Sequence, residues 1–431
     1  MQLKKNAFYI FAYLFLLTSV SLLRHIDVQA QVTTGQTVVA CQAQAAGCTF
    51  FGNGAIQKAI DQAQASSGNV VEVREGTYSE NLTVGAPSLY IIGAGKGKTV
   101  ISGGMTVTGT NNSIYQIEKL TLQNSTTNGL KIMGAGTILV NKVESLNHAG
   151  NGIDVGGSGV VVIKGSLIAG NTKGIRVASS NLFDVTNTVI AQNRSEGIEQ
   201  LGTQMTGFGI IHSVVYNNGR DGLKATIDSY NPRFVIRNSI FMGNKSYGVS
   251  SANEPDADVA ELYMSFNKNI FFGNTSGCSN HTIICDSEGT LANSDPKFTG
   301  APVFNMKLAS LSPAIDTGYD FDPDGTVADR GLYGGIYACE YDGSLSYCAA
   351  PNDPSASPSP EASVSPRSSG RSCALKVHGD ANCDGLISNP DFEIWRSEFK
   401  NAGSGLNSDF NADATINSTD FEIWKGSFVN R

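Results

Sequence analysis

Charge is scarce in this chain. Asp, Glu, Lys and Arg make up only 16% of its 431 residues, and there are just 5 histidines. The central region sustains no 3.6-residue apolar period, which excludes helical and leucine-rich repeats. No cysteine pair has the CxxC spacing of the common zinc sites. There is no basic stripe, and the formal net charge is −8. Nucleic acid and anionic lipid are therefore repelled at long range rather than attracted. What is plentiful is glycine, at 48 copies. With so little charge, that composition suits a turn-rich β architecture. The length leaves room for two or three domains.

The first thirty residues stand apart. Lys4 and Lys5 precede the apolar run AFYIFAYLFLLTSVSLL, and Val28-Gln29-Ala30 places small residues at −3 and −1 of a cleavage point. Residues 1–30 read as a secretory signal cut after Ala30, with an uncleaved membrane anchor as the alternative; both export the remaining chain. Cleavage leaves 27 basic and 37 acidic side chains, a net of −10. The expected location is outside the cell, free or held at the cell surface, with no stable membrane insertion. Eight cysteines fall as four close pairs, Cys41/Cys48, Cys278/Cys285, Cys339/Cys348 and Cys373/Cys383. An even count in an exported chain reads as disulfides, with neighbour pairing expected among the connectivities that spacing allows.

Residues 351–372, PNDPSASPSPEASVSPRSSGRS, are rich in Pro and Ser and nearly free of large apolar groups. They form an extended linker. This places a large domain at 31–350 and a small one at 373–431. The large domain repeats itself. LQNSTTNGLKI, LNHAGNGIDV, AGNTKGIRV, AQNRSEGIEQ, YNNGRDGLKA and MGNKSYGVSS each carry Asn, a polar turn, Gly and a short strand. The glycines, Gly129, Gly152, Gly174, Gly197, Gly222 and Gly248, are separated by 23, 22, 23, 25 and 26 residues. A period near 23 with several β-branched runs per repeat is a solenoid signature. Alternation along each strand turns Lys131, Asp154, Arg176, Glu199, Lys224 and Ser250 outward as one column.

These features resemble the right-handed parallel β-helix of the pectin-lyase-like superfamily over roughly residues 50–340. The resemblance implies an all-β solenoid of about ten coils, stacked about 4.8 Å apart into a rod near ~50 Å long. It implies an amide ladder of Asn124, Asn147, Asn171, Asn193, Asn218 and Asn244. It also implies glycines that supply turn conformations closed to other residues. GAIQKAIDQAQA, 54–65, looks like the amphipathic helix that caps the first coil. SPAIDTGYDFDPDGTVADRGLYGG, 312–335, resembles a closing segment at the far end.

Acid, base and calcium-binding groups of that superfamily come from the outward face, so Asp154, Arg176, Glu199 and Lys224 are the candidate catalytic residues. The competing reading is that neighbouring charges merely satisfy one another, each exposed pair contributing about 0–1 kcal/mol. NTKGI, 171–175, is similar to the NTDGI of polygalacturonase-type hydrolases, but Lys173 stands where the catalytic Asp belongs. No Asp-Asp pair or GHG follows, and inverting hydrolysis requires two carboxylates. The DPHD signature of uronate epimerases is absent too. For a lyase, Lys173, Arg176, Arg194, Arg220 and Lys224 supply cations. His148 and His212 are expected at the surface. DFDPDG spaces Asp320, Asp322 and Asp324 like the start of a calcium loop. With Gly331 at its twelfth position, a turn held by its own carboxylates is the expectation.

The tail writes one pattern twice. Asp380, Asn382, Asp384, Leu386 and Asp391 occupy positions 1, 3, 5, 7 and 12 of a loop, and Asp409, Asn411, Asp413, Thr415 and Asp420 occupy the same positions of a second. Oxygen ligands at this spacing, with position 7 contributing its backbone carbonyl, enclose Ca²⁺. Each loop leads into a helical pattern, DFEIWRSEF or DFEIWKGSF. The pair, 374–428, resembles a type I dockerin, a small α domain with two Ca²⁺ ions. The resemblance implies docking onto a cohesin-type domain of a scaffold or cell-surface protein. Ala414 replaces Gly at position 6 of the second loop. Asn389-Pro390 and Ser418-Thr419 differ at positions 10 and 11, so the two docking faces are unlike.

Two functions follow. One is a secreted lyase or glycoside hydrolase acting on extracellular polysaccharide and tethered by the dockerin; the other is a non-catalytic glycan-binding or structural β-helix assembled in the same way. Loops this small lack a core of their own, so removing Ca²⁺ unfolds residues 373–431. Calorimetry or NMR with and without chelator checks this; a tail that stays folded without metal refutes it.

Overall fold

The computed structural model describes residues 37–341 except 66–68, 86, 158, 203–204, 227–232, 252–263, 302–303, 323–325 and 336, together with Phe410. The signal segment, the linker and all ten calcium-loop positions lie outside the described residues. The chain divides into two compact units, Met1–Ala349 and Ala350–Arg431.

The first unit is a parallel β-solenoid. A nine-stranded sheet runs from Leu82–Val84 to Gly277–Ser279, and a nineteen-stranded sheet receives two stretches from most coils. One coil reads Val160–Lys164, Leu167–Ala169, Ile175–Val177. Short β-branched runs explain these elements, because each strand need only bury alternate residues. Ile153 and Val155 point in and Asp154 points out. Inward residues stack on their equivalents, and Phe183, Phe208 and Phe234 share a register. Their ring centroids lie 5.3 and 5.0 Å apart, a separation favourable to offset aromatic packing.

The amide ladder exists, with a corrected membership. The Oδ1 atoms of Asn193, Asn218, Asn244 and Asn274 each accept from the side-chain amide of the preceding Asn at 2.9–3.2 Å. Each also accepts from that residue's backbone N–H. Asn124 and Asn147 are not rungs. They occupy the preceding left-handed position, with φ of 56° and 58°, where later coils have Gly170, Gln192, Asn217, Gly243 and Gly273. The rungs in those coils are Ser125 and His148. Ser125 N–H donates to His148 Nδ1 at 3.0 Å, and His148 N–H donates to Asn171 Oδ1 at 2.9 Å. His148 is thus fully buried, not a surface residue.

The repeat glycines also have a different cause from the one expected. None of the six adopts a positive φ. A Cβ on Gly152, Gly174, Gly197 or Gly222 would lie 2.6–2.9 Å from the ladder amide nitrogen of the next coil. The requirement is space. A second ladder, of Ser166, Thr188, Ser213, Ser239 and Asn269, accepts backbone N–H groups one coil earlier.

Helix α1, Ala55–Ala63, caps the first coil as its pattern predicts, burying Ala55, Ile56, Ala59, Ile60 and Ala63. The Glu80 carboxylate accepts the N–H groups of Ile56 and Gln57 at its N-terminus, where negative charge is favoured. The far end is closed by residues 277–292, not by the segment expected. There the short helix α2, Thr282–Cys285, inserts Ile284 into the core, and Cys285 is bonded to Cys278. Cys41–Cys48 is likewise a neighbour pair.

The described residues of the segment 301–341 instead run along the flank as a strap. It covers the outward apolar residues Leu167, Val189, Val214, Ile240 and Ile270 with Ala301, Met306, Ala314, Leu332 and Tyr333. Left-handed turn residues of three successive coils hold its backbone. Asn187 Nδ2 donates to the carbonyls of Leu332 and Gly334, both at 2.8 Å. His212 Nδ1 meets Asp329 O at 3.1 Å, and Asn238 Oδ1 accepts from Tyr319 N–H at 2.9 Å. Asp322 accepts from Asp329 N–H and Gly335 N–H; residues 323–325 of DFDPDG lie outside the described residues. Arg330 donates to the carbonyls of Gly289 and Thr317, and burial pulls its pKa down to about 10.

Burial pulls both His148 and His212 down to about pKa 4. These folded values lie below the unfolded one, so the stability they carry is complete above about pH 6.5 and declines as pH falls toward 4. Each contributes a slope of at most about 1.4 kcal/mol per pH unit across that window. His148→Asn restores an amide rung and removes one titrating group. Urea unfolding at pH 7 and pH 4.5 should show a smaller loss than wild type, by roughly 2–3 kcal/mol at most. An unchanged loss would exclude a buried neutral His148.

Candidate functional site

The nine-stranded sheet presents one charged strip. Lys131, Asp154, Arg176, Glu199, Lys224 and Ser250 pair in register across six successive coils. The four candidate catalytic residues therefore lie in a single column. Alternation turns each outward, and the inward neighbours, such as Ile175 and Val177, fix its direction by their burial.

Beside this column runs a second that sequence reasoning did not assemble. It comprises the residue immediately before each repeat glycine: Asn128, Asn151, Lys173, Glu196, Asp221 and Tyr247. Members reach diagonally to the outward residue of the next coil. Asn128 Nδ2 donates to Asp154 Oδ2 at 3.0 Å, Lys173 Nζ pairs with Glu199, and Ser250 Oγ donates to Asp221 Oδ2 at 2.8 Å. The available signal was positional, because any polar residue next to a sterically required glycine must sit at this edge.

The centre is a network of three cations and three carboxylates. Arg176 Nη1 lies 3.1 Å from Asp154 Oδ1, and Arg176 Nε lies 3.9 Å from Glu199 Oε2. Lys173 Nζ bridges Glu199 and Glu196, the latter at 3.4 Å. Glu196 and Glu199 are both buried. Burial pushes Glu196 up, but hydrogen bonds from Ser195 Oγ and its own backbone, with the charge of Lys173, outweigh it and hold the carboxyl below its ordinary value. Arg220, exposed, stands 3.7 Å from Glu196. Arg194 leaves the strip and donates to the carbonyls of His148 and Gly170.

Lys224 is exposed and Lys131 half-buried, and neither has a hydrogen-bond or ion-pair partner among the described residues. Among those residues no group of three or more His, Cys, Asp or Glu is placed to hold a metal ion. His212 is buried beneath the strap, remote in register from this sheet. No helix of the described residues is long and apolar enough to cross a membrane.

A family model described as right handed beta helix region matches residues 103–261 and, overlapping, 151–290. No curated protein sequence matches the chain. Among solved structures the chain is similar to the pectate lyase Pel9A, with TM-score 0.51 and 13% identity over 72% of this chain and 98% of that one. The mannuronan C-5 epimerase AlgE6 A-module of Azotobacter vinelandii aligns with TM-score 0.34 and 17% identity over 56% of this chain and 95% of that one. Pectin methylesterase PemA of Erwinia chrysanthemi aligns with TM-score 0.28 and 11% identity over 57% and 81%. The fold is thus a right-handed parallel β-helix like that of pectate lyase.

Lys173→Met removes the cation shared by two buried carboxylates. It should raise the Glu196 pKa and cost about 1–3 kcal/mol at pH 7. Because the folded pKa of Glu196 is depressed, the wild-type contribution is present above the ordinary carboxylate value and disappears as pH falls through the folded one. Carboxyl NMR titration with denaturant unfolding at pH 7 and 3.5 checks both, and a pKa that does not move would remove Lys173 from the network.

Proposed function

We propose that this chain is a secreted modular protein that engages extracellular polysaccharide along the charged strip and is tethered through a calcium-dependent dockerin. The single observation that carries the reading is the double column of charge on one solvent-facing sheet. Five successive coils present an ordered row of cations and carboxylates, a surface suited to an extended polymer rather than a small molecule. The tail supplies the tether. Its two loops would hold two Ca²⁺ ions through Asp380, Asn382, Asp384, Leu386 and Asp391, and through Asp409, Asn411, Asp413, Thr415 and Asp420. The loaded module would dock onto a cohesin-type domain.

Within this reading, cleavage by elimination would set Arg176 against a uronate carboxylate, with Lys224 as the base. Hydrolysis would draw on Asp154 and Glu199. A second reading, a non-catalytic glycan-binding or surface structural protein, is favoured by one feature. Every carboxylate of the central network is already neutralised by Lys173, Arg176 or Arg220.

The full-length protein incubated with pectins, alginates and xylans separates the two. Absorbance at about 235 nm reports the unsaturated product of elimination, and new reducing ends report any chain cleavage. Product lost in Arg176→Ala and Lys224→Ala supports the enzyme. Binding without product supports the second reading, and neither binding nor product overturns both.

A further inference from the structure

The geometry points to a particular polymer for this strip: an acidic glycan in which only every second sugar carries a negative charge. This rests on the polysaccharide reading above and sharpens it. Along the outward column the sign alternates coil by coil, Lys131, Asp154, Arg176, Glu199, Lys224. Coils rise about 4.8 Å, so the cations recur at about 9.6 Å and the acids fall midway between them. A pyranose in an extended chain advances by close to one coil spacing. A glycan lying along the rod therefore offers one sugar to each coil.

In the second column Lys173 shares a coil with Arg176 and Glu196 with Glu199, while Asp221 shares one with Lys224. Lys131 and Lys224, two coils either side of Arg176, have no partner among the described residues and are open to an anionic ligand. Asp154, half-buried, remains an acceptor for a hydroxyl or amide donor, since a carboxylate holds several lone pairs, whereas Glu199 keeps only 8% of its side chain exposed. A homopolymer of uronic acid would place a carboxylate opposite every coil, and thus one against Asp154 and one against Glu199. Asp154 and Glu199 are held by Arg176 and Lys173, so a uronate there must compete with them for the same cations, and that competition is the unfavourable element specificity needs. A polymer with a neutral, donor-bearing sugar between its uronates meets a cation at each acid and a carboxylate at each neutral unit.

A narrow strip beside the column accommodates ring faces. The residues following four successive strands are Met133, Gly156, Ala178 and Leu201. Met133 and Leu201 are exposed, and the two between them add almost no height.

The test is titration of the full chain with three probes, with and without Ca²⁺: hyaluronan, whose uronate alternates with an N-acetylated sugar; polygalacturonate, charged at every sugar; and neutral xylan. The expected order is hyaluronan first in both conditions, with affinity falling as salt rises. Lys131→Ala and Lys224→Ala should each weaken hyaluronan by roughly 2–5-fold, the scale of one exposed ion pair. With no partners for Lys131 or Lys224 among the described residues, both variants should keep the wild-type circular dichroism. Asp154→Asn with Glu199→Gln should raise polygalacturonate binding by roughly the same factor at each position. Polygalacturonate or xylan binding as tightly as hyaluronan would overturn the alternating pattern and leave the polysaccharide reading intact. No binding to any of the three would overturn both.

Discussion

Everything in the solenoid depends on the amide that each coil hands to the next. In a parallel stack a slip of one residue would turn every side chain to the wrong face. Asn193, Asn218, Asn244 and Asn274 prevent it, because each carbonyl oxygen receives two donors from the coil before. Their side-chain amides also satisfy strand carbonyls such as Ile168 O and Ile190 O. Buried amides left without these partners would each cost about 1–3 kcal/mol. The stack therefore has one favourable register.

The surface inherits that register. A ladder amide occupies the place a side chain would take on the repeat residue of the preceding coil, and so that residue is glycine. Two residues on, the chain has entered a strand facing outward. Lys131, Asp154, Arg176, Glu199 and Lys224 therefore align because the ladder is buried beneath them. The residue before the glycine, held at the turn edge, is pressed against the same column. The pairing of Lys173 with Glu196 and Glu199 is thus a product of the fold's internal hydrogen bonding as well as of charge.

Much of this was legible in the sequence. Glycine spacing revealed the period, and strand alternation revealed the outward column, residue for residue. The capping helix was legible from the spacing of Ile56, Ile60 and Ala63. The failures share a cause. Asn serves the left-handed turn position nearly as well as Gly does, so Asn124 and Asn147 are indistinguishable by type from the rungs one position later. His148 looked like a surface residue because only the neighbouring coils show that it replaces an asparagine. Glu196 went unnoticed because its importance comes from adjacency to glycine rather than from a motif. The strap's sequence resembles an end closure because its apolar residues reveal that they cover something without revealing which face.

The strap's attachments are spread unevenly along the rod. Arg330 reaches the carbonyl of Gly289 near the last coil, Asn187, His212 and Asn238 hold the middle, and Lys96 lies against Tyr341 near the first coils. Each attachment joins one particular strap residue to one particular coil. A rung-for-rung ladder tolerates the gain or loss of a repeat, since every junction looks the same. This strap does not, and it acts as a ruler that fits a rod of one length only. Among solenoids, whose repeats drift readily in number, such a molecular gauge ties the count of coils to the integrity of the whole.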